Sequence, residues 1–249
     1  MKTTLNYYLQ IADNALILSH RLAENTSKGP FLEEDLATTN VALDLIGLAE
    51  SVLNEAAKLE GLGQTGDDLA YRREESEFMN CLLVEQPNRD FAHIVTRQFL
   101  MDTFNYHYFI ALTESKDSFL SAIAFKSIKE VTYHLRRSSE WMIRLGTGTD
   151  ESKHRVQLAI NTLWKFTDEL FEQSDADKAM LAKGAGVNLH NIKNQWNQKV
   201  NEILYMAHLD SPKNQFSVFG GKQGNHTEHL GHILAEMQFL PGKYPDAVW

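Results

Sequence analysis

Lys129-Glu130-Val131-Thr132-Tyr133-His134 is the stretch that decides how the chain is read. It lies in a long run with helical spacing, and residues three apart on a helix share a face. A Glu-x-x-His step uses that geometry to turn a carboxylate and an imidazole toward one metal pair inside a helical bundle. Here His134 is in place, but the residue three before it is Val131, which has no donor atom. Glu130 comes one position early, so its side chain leaves the helix about 100° from the needed direction. The segment reads as half of a carboxylate-bridged di-iron motif in which a hydrocarbon replaces one ligand.

The helix carrying this step spans about 118–145 and stops at Gly146-Thr147-Gly148. Pro87-Asn88 opens the helix before it, over about 90–115, with Phe91, Phe99, Phe104 and Tyr108 turned inward. Nearer the N-terminus, Leu5, Leu9, Ala12 and Leu16 recur at helical spacing over about 3–24. A turn at Asn25-Thr26-Ser27-Lys28-Gly29-Pro30 closes that helix. A second helix covers about 34–60 and ends at Gly61 and Gly63. Its middle, from Val41 to Ala49, is apolar on every side except at Asp44, which predicts burial all round. Residues 64–87 read as an irregular link with a short helical piece near 70–83. Past Gly148, helices are predicted over about 149–172, 189–208 and 226–240. Asn225 and Glu228 are placed as a capping box for the last of these, and 209–224 reads as a loop. No proline lies between Asn88 and Ser211, so that stretch is free for long helices. Four long helices followed by shorter ones predict an all-α, ferritin-like four-helix bundle. Its core lies at about 3–145, with a C-terminal helical extension at about 149–249, in a single domain over 1–249.

A full di-iron site takes one carboxylate from each of two helices and a Glu-x-x-His from each of the other two. Asp102 and His134 stand where two ligands would. The helix over 34–60 contains no histidine between Asp35 and Glu60, and its ligand positions fall on Leu43 or Asp44 and on Ile46 or Gly47. Asp44, Asp102 and His134 together are too few ligands for two irons. A buried ionised Asp44 would need a partner, so the expectation is a polar network of Asp44, Arg97, Lys129 and His134 filling the vacated cavity.

Two other features could carry chemistry. His229, His232 and Glu236 form a stripe at i, i+3 and i+7, with His226 just before, a spacing that can hold a single metal. Gly220-Gly221-Lys222-Gln223-Gly224 precedes the same helix, where backbone N–H groups and Lys222 could meet a phosphate. These leave two alternatives: a metalloenzyme using Asp44, Asp102 and His134 or the His226–Glu236 helix, and a CoA-ester-binding module using Lys222. Composition narrows the classes. The 249 residues carry a net charge of −9, which argues against nucleic acid as a partner. The single Cys81 fits a reducing compartment. No signal-type run follows Met1, and no unbroken apolar run reaches the ~18 residues of a membrane span. The reading is a soluble cytoplasmic protein with no membrane partner.

With these residues in hand, a resemblance can be stated. Leu82-Leu83-Val84-Glu85-Gln86-Pro87-Asn88, Tyr133-His134-Leu135-Arg136, Gly148-Thr149-Asp150 and the run from Gly220 through Gln238 to Trp249 resemble the C-subunit family of ring-1,2-phenylacetyl-CoA epoxidases. These are multicomponent oxygenases of phenylacetate degradation. The resemblance implies a non-catalytic, structural subunit without its own cofactor. It would pair with a ferritin-like catalytic A subunit that holds the di-iron centre. Such complexes also contain a small B subunit and a reductase with flavin and an iron–sulfur cluster. A bundle that pairs with a paralogue can also pair with itself, so an isolated homodimer is a further expectation. On this resemblance Asp102 and His134 are vestigial ligand positions, and Val131 marks a lost one.

Overall fold

Four long helices carry the chain in two hairpins. The computed structural model describes residues 2–213, 215–244 and 247; Trp249, where the resemblance ends, lies outside them. Helix α1 spans Lys2–Ala23 and α2 spans Leu32–Glu60, where Gly61 takes the left-handed conformation that ends the helix. Helix α3, Gly66–Tyr71, starts from a capping box between Thr65 and Asp68. It lies earlier than the sequence suggests, because 78–86 is not helical: those residues form a buried irregular segment. Helix α4, Phe91–Leu112, is capped by Asp90, and α5, Ser118–Gly146, by Asp117. Helix α6, Asp150–Leu163, is shorter than predicted and gives way to two 3₁₀ turns. Helix α7, Asp175–Ala182, escaped the sequence reading; the polar run there is itself the start signal, a Ser174–Asp177 capping box. Helix α8 spans Leu189–Met206, α9 Glu228–Met237 and α10 Phe239–Lys243. No strand occurs among the described residues. The protein is all-α and ferritin-like, as the helical spacing indicates.

The chain divides into two compact units, one running to Pro87 and resuming at Gly220, the other Asn88–Phe219. In the first, α1 packs along α2, and α9 packs on α1. Fully buried Leu16, Ile17, Leu18 and Leu53 supply apolar core here, each side chain contributing about 1.5–3 kcal/mol. The all-round burial expected for the middle of α2 does not occur. Val41, Ala42, Leu45, Leu48, Ala49 and Val52 are buried, but Leu43 is 60 % exposed and Asp44 is half-buried. One 18-residue window of α2 has a mean hydropathy high enough for a membrane span, and 44 % of it is buried. In the second unit α4 is the central helix, packed by α5, α6 and α8. The buried Trp196 of α8 fixes that packing by donating its indole N–H to the Leu100 carbonyl at 2.9 Å.

Candidate functional site

Helices α4 and α5 bring Asp102 and His134 together. Asp102, His134 and Val131 are each no more than 3 % exposed. Gln98, one turn before Asp102, places its amide nitrogen 2.6 Å from Asp102 Oδ1. Ser138 lies beside the pair, but its hydroxyl is directed at the carbonyls of His134 and Leu135, at 3.0 and 3.3 Å. Asp102 Oδ2 and Gln98 Oε1 are therefore buried without a hydrogen-bond partner among the described residues. Burial raises the Asp102 pKa, and the nearby His134, Ser138, Gln98 and Arg137 only partly offset it. The carboxyl is held toward its neutral form.

These residues do not fit a di-iron centre. The position that would need a carboxylate is Val131, whose isopropyl group is buried and has no donor atom. Among the described residues, no group of three or more His, Cys, Asp and Glu side chains could hold a metal ion. The four residues expected to form a polar network differ in burial. Lys129 is exposed on α5 and Asp44 is only half-buried. Arg97 is buried and gives one N–H to Asn88 Oδ1 at 2.6 Å. Spacing alone could not separate the two edges of α5; Lys129 falls on the edge that its helix turns to solvent.

The histidine stripe resolves differently. His226 precedes α9, and the helix is capped at Thr227 without a side-chain bond, so the Asn225–Glu228 capping box is absent. The His226 side chain is completely buried against Glu85. Its Nδ1 lies 3.1 Å from Glu85 Oε2, and its Nε2 lies 2.9 Å from the Phe78 carbonyl. Both ring nitrogens face an oxygen, an arrangement that the protonated ring satisfies by donating from each. Burial alone would lower its pKa; the hydrogen bonds to Glu85 and Phe78, with the charge of Glu75, outweigh it and raise the pKa. Glu85 also accepts from Thr227 N at 2.8 Å and from Asn80 Nδ2 at 3.2 Å. Arg21 of α1 grips the Glu85 carbonyl through Nε and Nη2, at 3.0 and 2.8 Å, and reaches the His229 carbonyl at 3.2 Å. A second buried pair joins Asp13 to Arg73, and Asp13 also accepts from Met79 N at 2.8 Å. These groups anchor the buried segment 78–86, whose backbone has no helix to satisfy it. His232 and Glu236 are exposed and line a cleft with His20, Arg21 and Glu24.

The glycine-rich loop is packed rather than open. A Cβ on Gly221 would lie 2.1 Å from the Asn80 carbonyl, so only glycine allows that approach. Lys222 is buried, and α9 begins only at Glu228, so the loop does not present a helix N-terminus to a phosphate. Two clefts of the first unit, about 770 and 350 Å³, are lined by other residues and not by Lys222. The sequence reading missed Asp13, Arg21, Arg73 and Glu85. The available signal was a lone carboxylate after the apolar run Cys81-Leu82-Leu83-Val84.

An all-α chain whose long helices pair as hairpins defines a class: a ferritin-like protein. Comparison with known proteins gives the family. The model of the phenylacetic acid catabolic protein family matches residues 1–249, and this chain belongs to that family. It is 46 % identical over 243 residues to the C subunit of 1,2-phenylacetyl-CoA epoxidase from Escherichia coli strain K12, covering 98 % of each chain.

Proposed function

We propose that this chain is the non-catalytic, structural subunit of a cytoplasmic phenylacetyl-CoA epoxidase. It would pair with and brace a di-iron A subunit. The observation that carries this reading is Val131, a buried hydrocarbon on the face where a Glu-x-x-His step needs its carboxylate. The identity to the C subunit of an epoxidase supplies the pathway. In this reading the chain has no cofactor. The di-iron centre belongs to the A subunit, flavin and iron–sulfur belong to a reductase, and the assembly also includes a B subunit. A partner with a hydrocarbon-filled core can stabilise a catalytic bundle whose own centre must stay polar and openable.

The test is reconstitution with and without this chain, reading phenylacetyl-CoA turnover, thermal stability of the A subunit and the iron bound by each component. Iron confined to the A subunit, with activity and stability falling when this chain is left out, is the expected result. Unchanged activity and stability without it, or about two irons bound to this chain, would overturn the reading.

A further inference from the structure

One face of α2 carries a line of exposed leucines. Leu32, Leu36 and Leu43 are 68 %, 54 % and 60 % exposed. Their spacing of four and seven residues sets them on one side of the helix, and Gly47, four further on, continues the line. A Cβ on Gly47 would meet nothing within 4 Å. The stripe is about 22 Å long at 1.5 Å per residue. Three exposed leucines in register on one helix differ from the scattered apolar residues of an ordinary surface. A helix-interior glycine lowers helix stability and here relieves no crowding inside the chain. Both features suit a second helix laid closely along this face.

Charge selects what that helix belongs to. The stripe is flanked by exposed Glu33 and Glu50 and half-buried Asp44, with no lysine or arginine between Lys28 and Lys58. A second copy docked through this face would set carboxylates against carboxylates. An anionic membrane would repel the same rim, since surface-seeking helices carry Lys and Arg there.

We propose that the Leu32–Leu36–Leu43–Gly47 face of α2 is the docking surface for an apolar helix of a different subunit, one flanked by Lys or Arg. The proposal deepens the pairing proposed above and rests on it, with the catalytic A subunit as the partner.

The experiment measures binding of the purified chain to purified A subunit by calorimetry, for wild type, Leu36→Glu/Leu43→Glu and Gly47→Leu. Leu158→Glu, an exposed apolar position on α6, serves as the control. Glutamate is a good helix former at exposed positions, so all variants should keep the wild-type circular dichroism. Affinity should fall on the order of 30-fold or more for the double variant, as for central interface residues, and stay unchanged for Leu158→Glu. Gly47→Leu discriminates further: it should raise the melting temperature of the isolated chain yet weaken the complex. Wild-type affinity in both α2 variants would overturn the assignment and leave the pairing intact. Failure of wild type to bind the A subunit would overturn both. Two further results would also overturn it: a homodimer of the chain alone that Leu36→Glu/Leu43→Glu dissolves, and binding to phosphatidylglycerol vesicles.

Discussion

Glu85 and Asp102 are both carboxylates sealed from solvent, and the protein treats them in opposite ways. Each Glu85 oxygen is met by a donor, from His226, Asn80 and the Thr227 backbone. Asp102 has one short contact with Gln98 and an oxygen with no partner, and burial pushes it toward its neutral form. A buried carboxylate surrounded by donors can keep its charge; one with few donors is pushed toward the neutral acid. The difference separates a carboxylate that ties distant segments together from one left with a single side-chain contact, although both read in the sequence as acids among apolar residues.

That contrast can be broken most directly at Glu85. Glu85→Ala leaves the His226 ring and the Thr227 N–H buried without their partner, and should cost about 3–5 kcal/mol, read by urea denaturation. A loss under 1 kcal/mol would show that the anchor is not holding segment 78–86. His226→Gln should cost less, about 1–3 kcal/mol, and should also change the pH profile. The His226 pKa is raised, so its contribution is complete below the ordinary value of 6.5 and is lost as pH rises through the folded value. Wild type should therefore weaken as pH rises above 6.5, and His226→Gln should lack that slope; an identical slope in both would assign it to another group.

Asp102→Asn should have the opposite outcome to Glu85→Ala. The raised pKa of Asp102 means its contribution is complete below the ordinary value of 3.8 and lost as pH rises through the folded value. At pH 8 the asparagine variant should be as stable as wild type, or more stable by up to about 2 kcal/mol. A loss of 3 kcal/mol or more would mean that the Asp102 carboxylate is needed in its charged form. The smallest effect belongs to Lys129→Ala. Because Lys129 is exposed, its melting midpoint should correspond to a change within about 0.5 kcal/mol; a larger loss would restore it to the polar network.

The sequence was most legible where a repeating pattern recorded a local rule. Helical spacing placed α1, α2, α4 and α5 within two or three residues. What escaped it depends on groups far apart in the chain. His226 looked like part of a helical stripe because its partner, Glu85, is 141 residues away. The apolar middle of α2 predicted burial on all sides, yet composition does not record which face meets α1 and which stays exposed. Helix α7 was hidden for the reverse reason: its capping residues are polar, and polarity was read as loop.

The anchor also has a consequence in time. The unit that contains Glu85 is assembled from two stretches of chain, and the second begins only at Gly220. Until His226 leaves the ribosome, Glu85 and Arg21 have been made without the groups that close on them, while residues 88–219 form a continuous stretch that can fold on emergence. Completion of the anchor thus reports that translation has passed residue 226. Nascent chains stalled before that point should remain open to protease around segment 78–86, and chains stalled well beyond it should be protected.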